Sequence, residues 1–264
     1  MKSYLEEFFL SLVKCNAEMM NNDCCIIIPI YKAKPTILEL SSINRVMETL
    51  GEMYDLMYIC GETFDIENYP LLDAIKVVRF DDSYFVSNKS YSKLLLSEDF
   101  YKPFVDYDYI LISQTDSYIL NSDYSLQGFM EKDYDYWGAP WSEGVITRPY
   151  SIRDIIKLIM IRDIRKLKVG NGGFSLRKVS TMMDLVVKNK RYIKYLWWFN
   201  EDLFFSRECY RLGTVAPFEE AKVFAGEQDI RISIKNGITP FGVHAYEKYY
   251  KELEEIINSQ KESI

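Results

Sequence analysis

The run Cys24-Cys-Ile-Ile-Ile-Pro-Ile30 constrains the fold more than any other stretch of the chain. It is short, apolar throughout and rich in β-branched side chains, the pattern of a strand buried on both faces. A strand covered on two sides needs helices above and below it, and the following chain offers them. Pro35 can open a helix that runs through about Leu50. Tyr54 to Cys60 reads as a second strand ending at Gly61, and Ile75 to Phe80 as a third. Ser87 to Leu96 is helical in pattern and precedes a fourth strand, Tyr109 to Ser113. Short strands alternating with helices imply parallel pairing with right-handed crossovers. In such sheets ligands bind beyond the carboxyl ends of the strands.

The second half is less regular. Tyr134 to Trp141 is an aromatic strand or turn, Gly172 to Arg177 a short strand, and Val179 to Asn189 and Asp202 to Leu212 are helices. Glu247 to Lys261 is a charged terminal helix. No internal repeat or low-complexity linker divides the 264 residues, so one continuous domain is expected. The formal charge of −7 excludes wholesale binding of nucleic acid. Five cysteines without a C-x-x-C pair argue against a disulfide framework and a thiolate zinc site, and fit a reducing cytoplasm. The longest apolar run, Cys24 to Tyr31, is shorter than the roughly 20 residues that span a bilayer. Met1 to Met20 carries Glu6, Glu7 and Lys14 within an apolar pattern and reads as an amphipathic helix, not a signal peptide. From Arg148 to Lys168 seven basic residues face two acids, while Ile152, Ile155, Ile156 and Ile159 keep helical spacing. Such a helix suits an anionic membrane surface or a phosphate-bearing acceptor, or else docks on the core as a surface helix.

Three segments place polar or flexible residues beside apolar ones. Val169-Gly-Asn-Gly-Gly-Phe-Ser-Leu-Arg177 holds a glycine pair, which lets backbone approach a ligand or simply makes a tight turn. Asn200-Glu-Asp-Leu-Phe-Phe205 opens with two acids, suited to base or metal-ligand chemistry, and equally to the first turn of a helix capped by Asn200. Pro240-Phe-Gly-Val-His-Ala245 holds the single histidine. The fourth strand delivers Thr115, Asp116 and Ser117 at its carboxyl edge. A carboxylate there can hold Mg²⁺ or Mn²⁺ bridging two phosphates, and the same position also suits a turn or cap. Trp137, Trp141, Trp197 and Trp198 are candidate sugar-stacking walls, with core packing as the alternative.

Taken together, Ile28-Pro-Ile-Tyr31, Ser113-Gln-Thr-Asp-Ser117, Tyr136-Trp-Gly-Ala-Pro-Trp141, Gly170-Asn-Gly-Gly-Phe-Ser-Leu-Arg177, Asn200-Glu-Asp202 and Pro240-Phe-Gly-Val-His244 resemble a bacterial glycosyltransferase-like family of the GT-A fold. Its members are mostly described only as a domain of unknown function. The resemblance runs from about residue 24 to 250. It implies a GT-A-like α/β three-layer sandwich around a central, mainly parallel sheet. The nucleotide-binding half would span about 1–120 and the acceptor-binding half about 121–264, with 143–168 a basic amphipathic insertion.

It implies metal ligation of Mn²⁺ or Mg²⁺ by Asp116 and His244, where the wider group's Asp-x-Asp is reduced to Thr115-Asp116-Ser117. It further implies a donor-sugar pocket at Asn171, Gly172 and Gly173, a base site at Pro29 and Tyr31, and contacts to nucleotide or phosphate from Lys93 and Thr115. Asp202 would be the catalytic base, and Glu201 would contact donor or acceptor hydroxyls. The implied reaction is inverting transfer from a nucleotide-diphosphate sugar, with a uridine diphosphate sugar foremost. The acceptor would be a hydroxyl of a glycan or lipid-linked molecule at the inner membrane face, in surface polysaccharide synthesis. The reduced motif also admits a non-catalytic sugar-nucleotide or glycan-binding protein. A sugar nucleotidyltransferase is disfavoured, since no glycine-rich, arginine-containing loop follows the first strand.

Overall fold

The computed structural model describes residues 23–70, 75–146, 166–196 and 200–261. The N-terminal amphipathic stretch, most of the basic segment Arg148–Lys168, and Trp197 and Trp198 lie outside these residues.

A six-stranded sheet forms the centre, in the order β3-β2-β1-β4-β9-β6. Strands β1 (Cys24–Pro29), β2 (Asp55–Gly61), β3 (Lys76–Phe80) and β4 (Tyr109–Ser113) are parallel, while β9 (Phe174–Lys178) and β6 (Tyr136–Trp137) run antiparallel. Every residue of β1 is buried. Its side chains alternate between two cores, Cys24, Ile26 and Ile28 on one face and Cys25 and Ile27 on the other. That alternation is why the run had to be apolar without interruption.

Helix α1 (Ile37–Leu50) covers the first face with Ile43, Val46 and Leu50. Thr36 rather than Pro35 starts this helix, through a capping box in which Thr36 and Glu39 bond each other's backbone amides. The second face is covered by α2 (Asn88–Leu95), α3 (Val179–Lys188) and α4 (Glu201–Leu212), which supply Leu94, Leu95, Met182, Phe204 and Phe205. The result is the expected three-layer sandwich. Cys24, Cys25, Cys60 and Cys209 are all buried free thiols, and Cys15 lies outside the described residues.

Three differences from the sequence expectation have local causes. Strand β9 begins at Phe174, two residues later than Gly172, because Asn171 takes a left-handed conformation (φ 65°) and its side-chain oxygen accepts from the Gly173 amide at 3.0 Å. This closes a side-chain-stabilised turn before the strand. The terminal helix α5 (Tyr250–Lys261) is preceded by a separate 3₁₀ turn, Tyr246–Tyr249. Trp137 is not a sugar-stacking wall: it is 0% exposed, packed among Phe129, Tyr134 and Phe224.

Two small sheets complete the scaffold. Strand β7 (Pro140–Ile146) pairs with β8 (Lys166–Val169). Strand β5 (Tyr118–Ile119) pairs antiparallel with β11 (Gly242–Val243), which pairs parallel with β10 (Ala225–Gly226). Among the described residues no helix is long and apolar enough to cross a membrane.

Candidate active site

Strand order decides where the site lies. From β1 the sheet extends to β2 and β3 on one side and to β4 on the other. The crevice beyond the carboxyl ends of β1 and β4 is therefore a topological switch point, where open α/β sheets take their ligands. Strand β4 ends at Ser113 and releases Gln114, Thr115 and Asp116 into that crevice. Strand β1 releases Ile30 and Tyr31 beside it.

Strand register brings remote residues to this edge. Val243 pairs with Tyr118, so His244, one residue beyond β11, comes opposite the segment that leads into β5 and carries Asp116. Gly226 pairs with Val243, so Glu227 lies next to His244. Ser113 pairs with Phe174, which sets Gly173 against Gln114, and the Gln114 amide donates to the Gly173 carbonyl at 2.8 Å. Ala245, next to the histidine, adopts φ 53°, and the chain turns there so that the Tyr246 amide bonds the Asp116 carbonyl at 3.0 Å.

The side chains then meet. His244 Nε2 is 3.3 Å from Asp116 Oδ1 and 3.3 Å from Gln114 Oε1, and Nδ1 is 3.3 Å from Glu227 Oε1. Glu227 also accepts from the Asn171 side-chain amide. Burial opposes a charge on His244, but the Asp116 and Glu227 carboxylates outweigh it and raise the imidazole to a pKa of about 9. Burial likewise opposes ionisation of Asp116, whose side chain is 41% exposed. The His244 hydrogen bond and charge, with Lys248, prevail and hold it below the ordinary carboxylate range.

The glycine pair is fitted between the two halves of the cluster. A Cβ on Gly173 would lie 2.1 Å from His244 Nε2, and one on Gly172 would lie 2.4 Å from Glu201 Oε1 and 3.5 Å from Asp202 Cβ. Both contacts leave no room for a side chain. Adjacent Cα atoms are about 3.8 Å apart, so Gly173 beside the histidine and Gly172 beside the acid pair bring both groups to one loop. Tyr136 and Ser117 hydroxyls donate to the carbonyls of Asn171 and Gly173 at 3.3 and 3.0 Å, and Ser175 donates to that of Gly172 at 3.0 Å.

Asn200 stands at the N-cap position of α4 without a side-chain capping bond, and Glu201 and Asp202 begin the helix. Their environments differ. Glu201 is buried: Ser92 donates to its Oε2, and Arg177 Nη2 lies 3.4 Å from its Oε1. Asp202 is partly exposed and accepts the Leu203 amide at 2.7 Å through one oxygen. Burial first, and then the Glu201 charge, raise its pKa to about 7. A carboxylate poised near neutrality in a crevice is suited to take a proton from a hydroxyl.

The remaining expected residues fall at different distances from this centre. Tyr31 is 51% exposed at the rim, and burial together with the Asp116 and Glu39 charges pushes its phenol up despite the opposing Lys32. Pro29 is buried at the end of β1. Thr115 is buried and spends its hydroxyl on Glu39 at 3.2 Å, a carboxylate that also takes Lys32 at 2.6 Å. Lys93 is exposed on α2. Arg177, the last residue of the glycine-rich motif, is 0% exposed.

Gln114 and Glu227 were missed by sequence reasoning. Gln114 stands in a motif read for carboxylates, and Glu227 is a lone acid after a two-residue strand. The only signal for Gln114 was its place at the exit of β4, two residues before Asp116.

Among the described residues no three His, Cys, Asp or Glu side chains gather to hold a metal ion. Asp116 Oδ1, His244 Nε2 and Gln114 Oε1 nevertheless converge as one anionic oxygen, one imidazole nitrogen and one amide oxygen. With the Nε2 proton released as the ion enters, that set fits a hard divalent cation whose shell is completed by substrate phosphates or water. Glu227 on Nδ1 is the kind of outer partner that fixes a ligating imidazole.

Residues 74–244 match the family DUF5672, a protein of unknown function, and the chain belongs to that family. No curated protein matches the sequence. Among solved structures the chain resembles the galactosyltransferase LgtC in complex with donor and acceptor sugar analogues, with a TM-score of 0.51 at 12% identity over 89% of this chain and 95% of that one. An active-site mutant of LgtC gives a TM-score of 0.50 at 12% identity, over 83% of this chain and 86% of that one. The apo bifunctional glycosyltransferase WbbM gives 0.52 at 12% identity, over 89% of this chain and 49% of that one. The fold is therefore that of GT-A glycosyltransferases.

Proposed function

We propose that this DUF5672 protein transfers a sugar from a nucleotide-diphosphate donor to a hydroxyl of a glycan or lipid-linked acceptor. The observation that carries the reading is the meeting of three remote segments at the switch point: Asp116 with Gln114, His244 with Glu227, and the Gly172–Gly173 loop beside Asp202. A GT-A fold with this arrangement of groups supports glycosyl transfer over the other chemistries open to an α/β sheet.

In this reading Asp202 is the base. Its second oxygen takes the proton from the acceptor hydroxyl as the hydroxyl oxygen attacks the anomeric carbon, and the nucleoside diphosphate leaves from the opposite face in a single inverting displacement. Asp116, His244 and Gln114 would hold Mn²⁺ or Mg²⁺, which supplies positive charge to the departing diphosphate. Glu227 keeps the His244 ring oriented. Asn171, Gly172 and Gly173 would line the donor sugar. Tyr31, half exposed beside β1, offers its ring to the nucleotide base, and a uridine diphosphate sugar is the donor we favour. Lys93 and Thr115 stay on the list of donor contacts at its margin.

We read the chain as one glycosyltransferase-like domain with a nucleotide-binding first half and an acceptor-binding second half. The basic segment 148–168, on its sequence pattern, would approach the inner membrane face in bacterial surface polysaccharide synthesis. One observation favours a second reading, a non-catalytic sugar-nucleotide binder: the strand that feeds the site carries a single carboxylate where two would bind metal more tightly.

One experiment separates the two. Purified protein is incubated with a panel of nucleotide sugars and Mn²⁺, and release of nucleoside diphosphate is followed. Turnover lost in Asp202→Asn supports the transferase. Saturable binding with no turnover of any donor supports the binder.

A further inference from the structure

The Arg177–Glu201 pair lies directly beneath the candidate base. Arg177 is fully buried on β9, with its guanidinium carbon 5.5 Å from the Tyr136 ring centre and 5.3 Å from that of Phe205. Its Nε donates to Ser175 Oγ at 3.0 Å, and Ser175 in turn donates to the Gly172 carbonyl at 3.0 Å. Its Nη2 meets Glu201 Oε1 at 3.4 Å. The other Glu201 oxygen is taken by Ser92 from α2. Glu201 is only 5% exposed, so a ligand hydroxyl has little access to the lone pairs these two donors leave unused.

Buried charges of this kind persist only when paired, and the pair need not raise stability. Here it joins β9, α2, α4 and the glycine loop at one point, and Asp202 is the next residue along α4. We propose that Arg177 and Glu201 are positioning residues for the transfer step: a buried ion pair, closed to ligands, that seats Asp202 against the Gly172 turn and sets the electric field in which it works. This rests on the reading of Asp202 as base, and it replaces direct contact between Glu201 and substrate hydroxyls.

The charged and titratable groups that act on Asp202 are Glu201 on its own helix, Arg177 from β9, Glu227 beyond β10, and Tyr136 from β6. Glu201 works against ionisation of Asp202 and Arg177 works for it. Glu201→Gln keeps the shape and a hydrogen-bonding group for Ser92 while it removes the opposing charge and leaves Arg177. Proton affinity at Asp202 must then fall. Either single change strands a buried charge. Arg177→Met leaves a bare carboxylate and is expected to fold poorly, whereas Glu201→Gln leaves a guanidinium that keeps Ser175 and the Tyr136 and Phe205 rings and is expected to fold with reduced stability. The double variant Arg177→Met/Glu201→Gln removes both charges and is expected to fold.

The test is a carboxyl NMR titration of protein labelled with ¹³C-aspartate, with the Asp202 resonance identified by its loss in Asp202→Asn. The pair predicts that Glu201→Gln lowers the Asp202 midpoint by about one pH unit or more. The double variant should bring it part of the way back. Where turnover is measured, the acid limb of kcat/KM should move down with the midpoint while donor and acceptor KM change little. A Glu201→Gln midpoint within about 0.3 pH units of the parent overturns the inference. So does a rise in KM of tenfold or more with an unmoved acid limb, which marks Glu201 as a substrate contact. Failure of the parent to turn over any donor, with the midpoint shifting as described, counts against the transferase and supports the electrostatic role of the pair.

Discussion

Asp202→Asn should make the protein more stable and less active, and the stability gain should depend on pH in a set direction. In the folded chain burial and Glu201 lift this carboxyl from an ordinary 3.8 to about 7. Between those values the native state holds a proton that the unfolded chain has released, so wild-type stability falls as pH rises through the window. Above pH 7 both states are ionised and the full penalty is present. At 1.36 kcal/mol per pH unit the interval corresponds to about 4 kcal/mol. Asp202 is partly exposed, and water at the crevice softens the field, so about 2 kcal/mol is the working expectation.

Asparagine has the same shape and no charge to bury. At pH 8 the variant should therefore melt roughly 4–8 °C above the parent, at 2–4 °C per kcal/mol for a chain of this size. Near pH 5 the gain should shrink to less than half, and near pH 4 it should vanish. The assay is a pair of thermal melts at each pH, in parallel with donor turnover. Turnover should drop by about 10²–10⁴-fold with loss of the general base. A variant no more stable than the parent at pH 8, or a gain of equal size at pH 4 and pH 8, would refute the claim that burial and Glu201 raise the proton affinity of Asp202.

Gly173→Ala should displace the imidazole, since its methyl would stand 2.1 Å from Nε2, and should weaken Mn²⁺-dependent turnover by at least tenfold at a stability cost of about 1–3 kcal/mol; unchanged turnover would show that His244 has no part in the reaction. Glu227→Gln removes one of the two carboxylates that hold His244, and outer partners of this kind are worth about 10–100-fold in metal affinity, so Mn²⁺ titrations of turnover should shift upward by that factor. Ile26→Ala empties a fully buried position in β1 and should cost about 2–5 kcal/mol in chemical denaturation while KM for the donor stays within a factor of two. A loss below 1 kcal/mol would mean the sheet is not covered on that face.

Much of the fold was legible because it follows from local patterning. The isoleucine run of β1 has a single solution, a strand with a core on each side, and Tyr109–Ser113 repeats it as β4 at the expected residues. Pairing between distant two-residue strands was not legible. Strands β5, β10 and β11 are too short to carry a periodicity, yet their register is what sets Glu227 beside His244. Gln114 escaped because a search for metal ligands weighs carboxylates, and an amide oxygen gains meaning only from the imidazole 3.3 Å away. The depth of Arg177 was hidden for a similar reason. An arginine after Phe-Ser-Leu gives no sign that Tyr136 and Phe205 enclose it and that Glu201 compensates its charge.

A crystal soaked with a uridine diphosphate sugar and Mn²⁺ tests the central claim most directly. The account predicts anomalous manganese density touching Asp116 Oδ1 and His244 Nε2, the diphosphate across it, and the sugar over Gly172 and Gly173 with Asp202 on the side away from the leaving group. Donor bound at another face, or seated in the crevice with neither Asp116 nor His244 in contact with it or with its ion, would contradict the account.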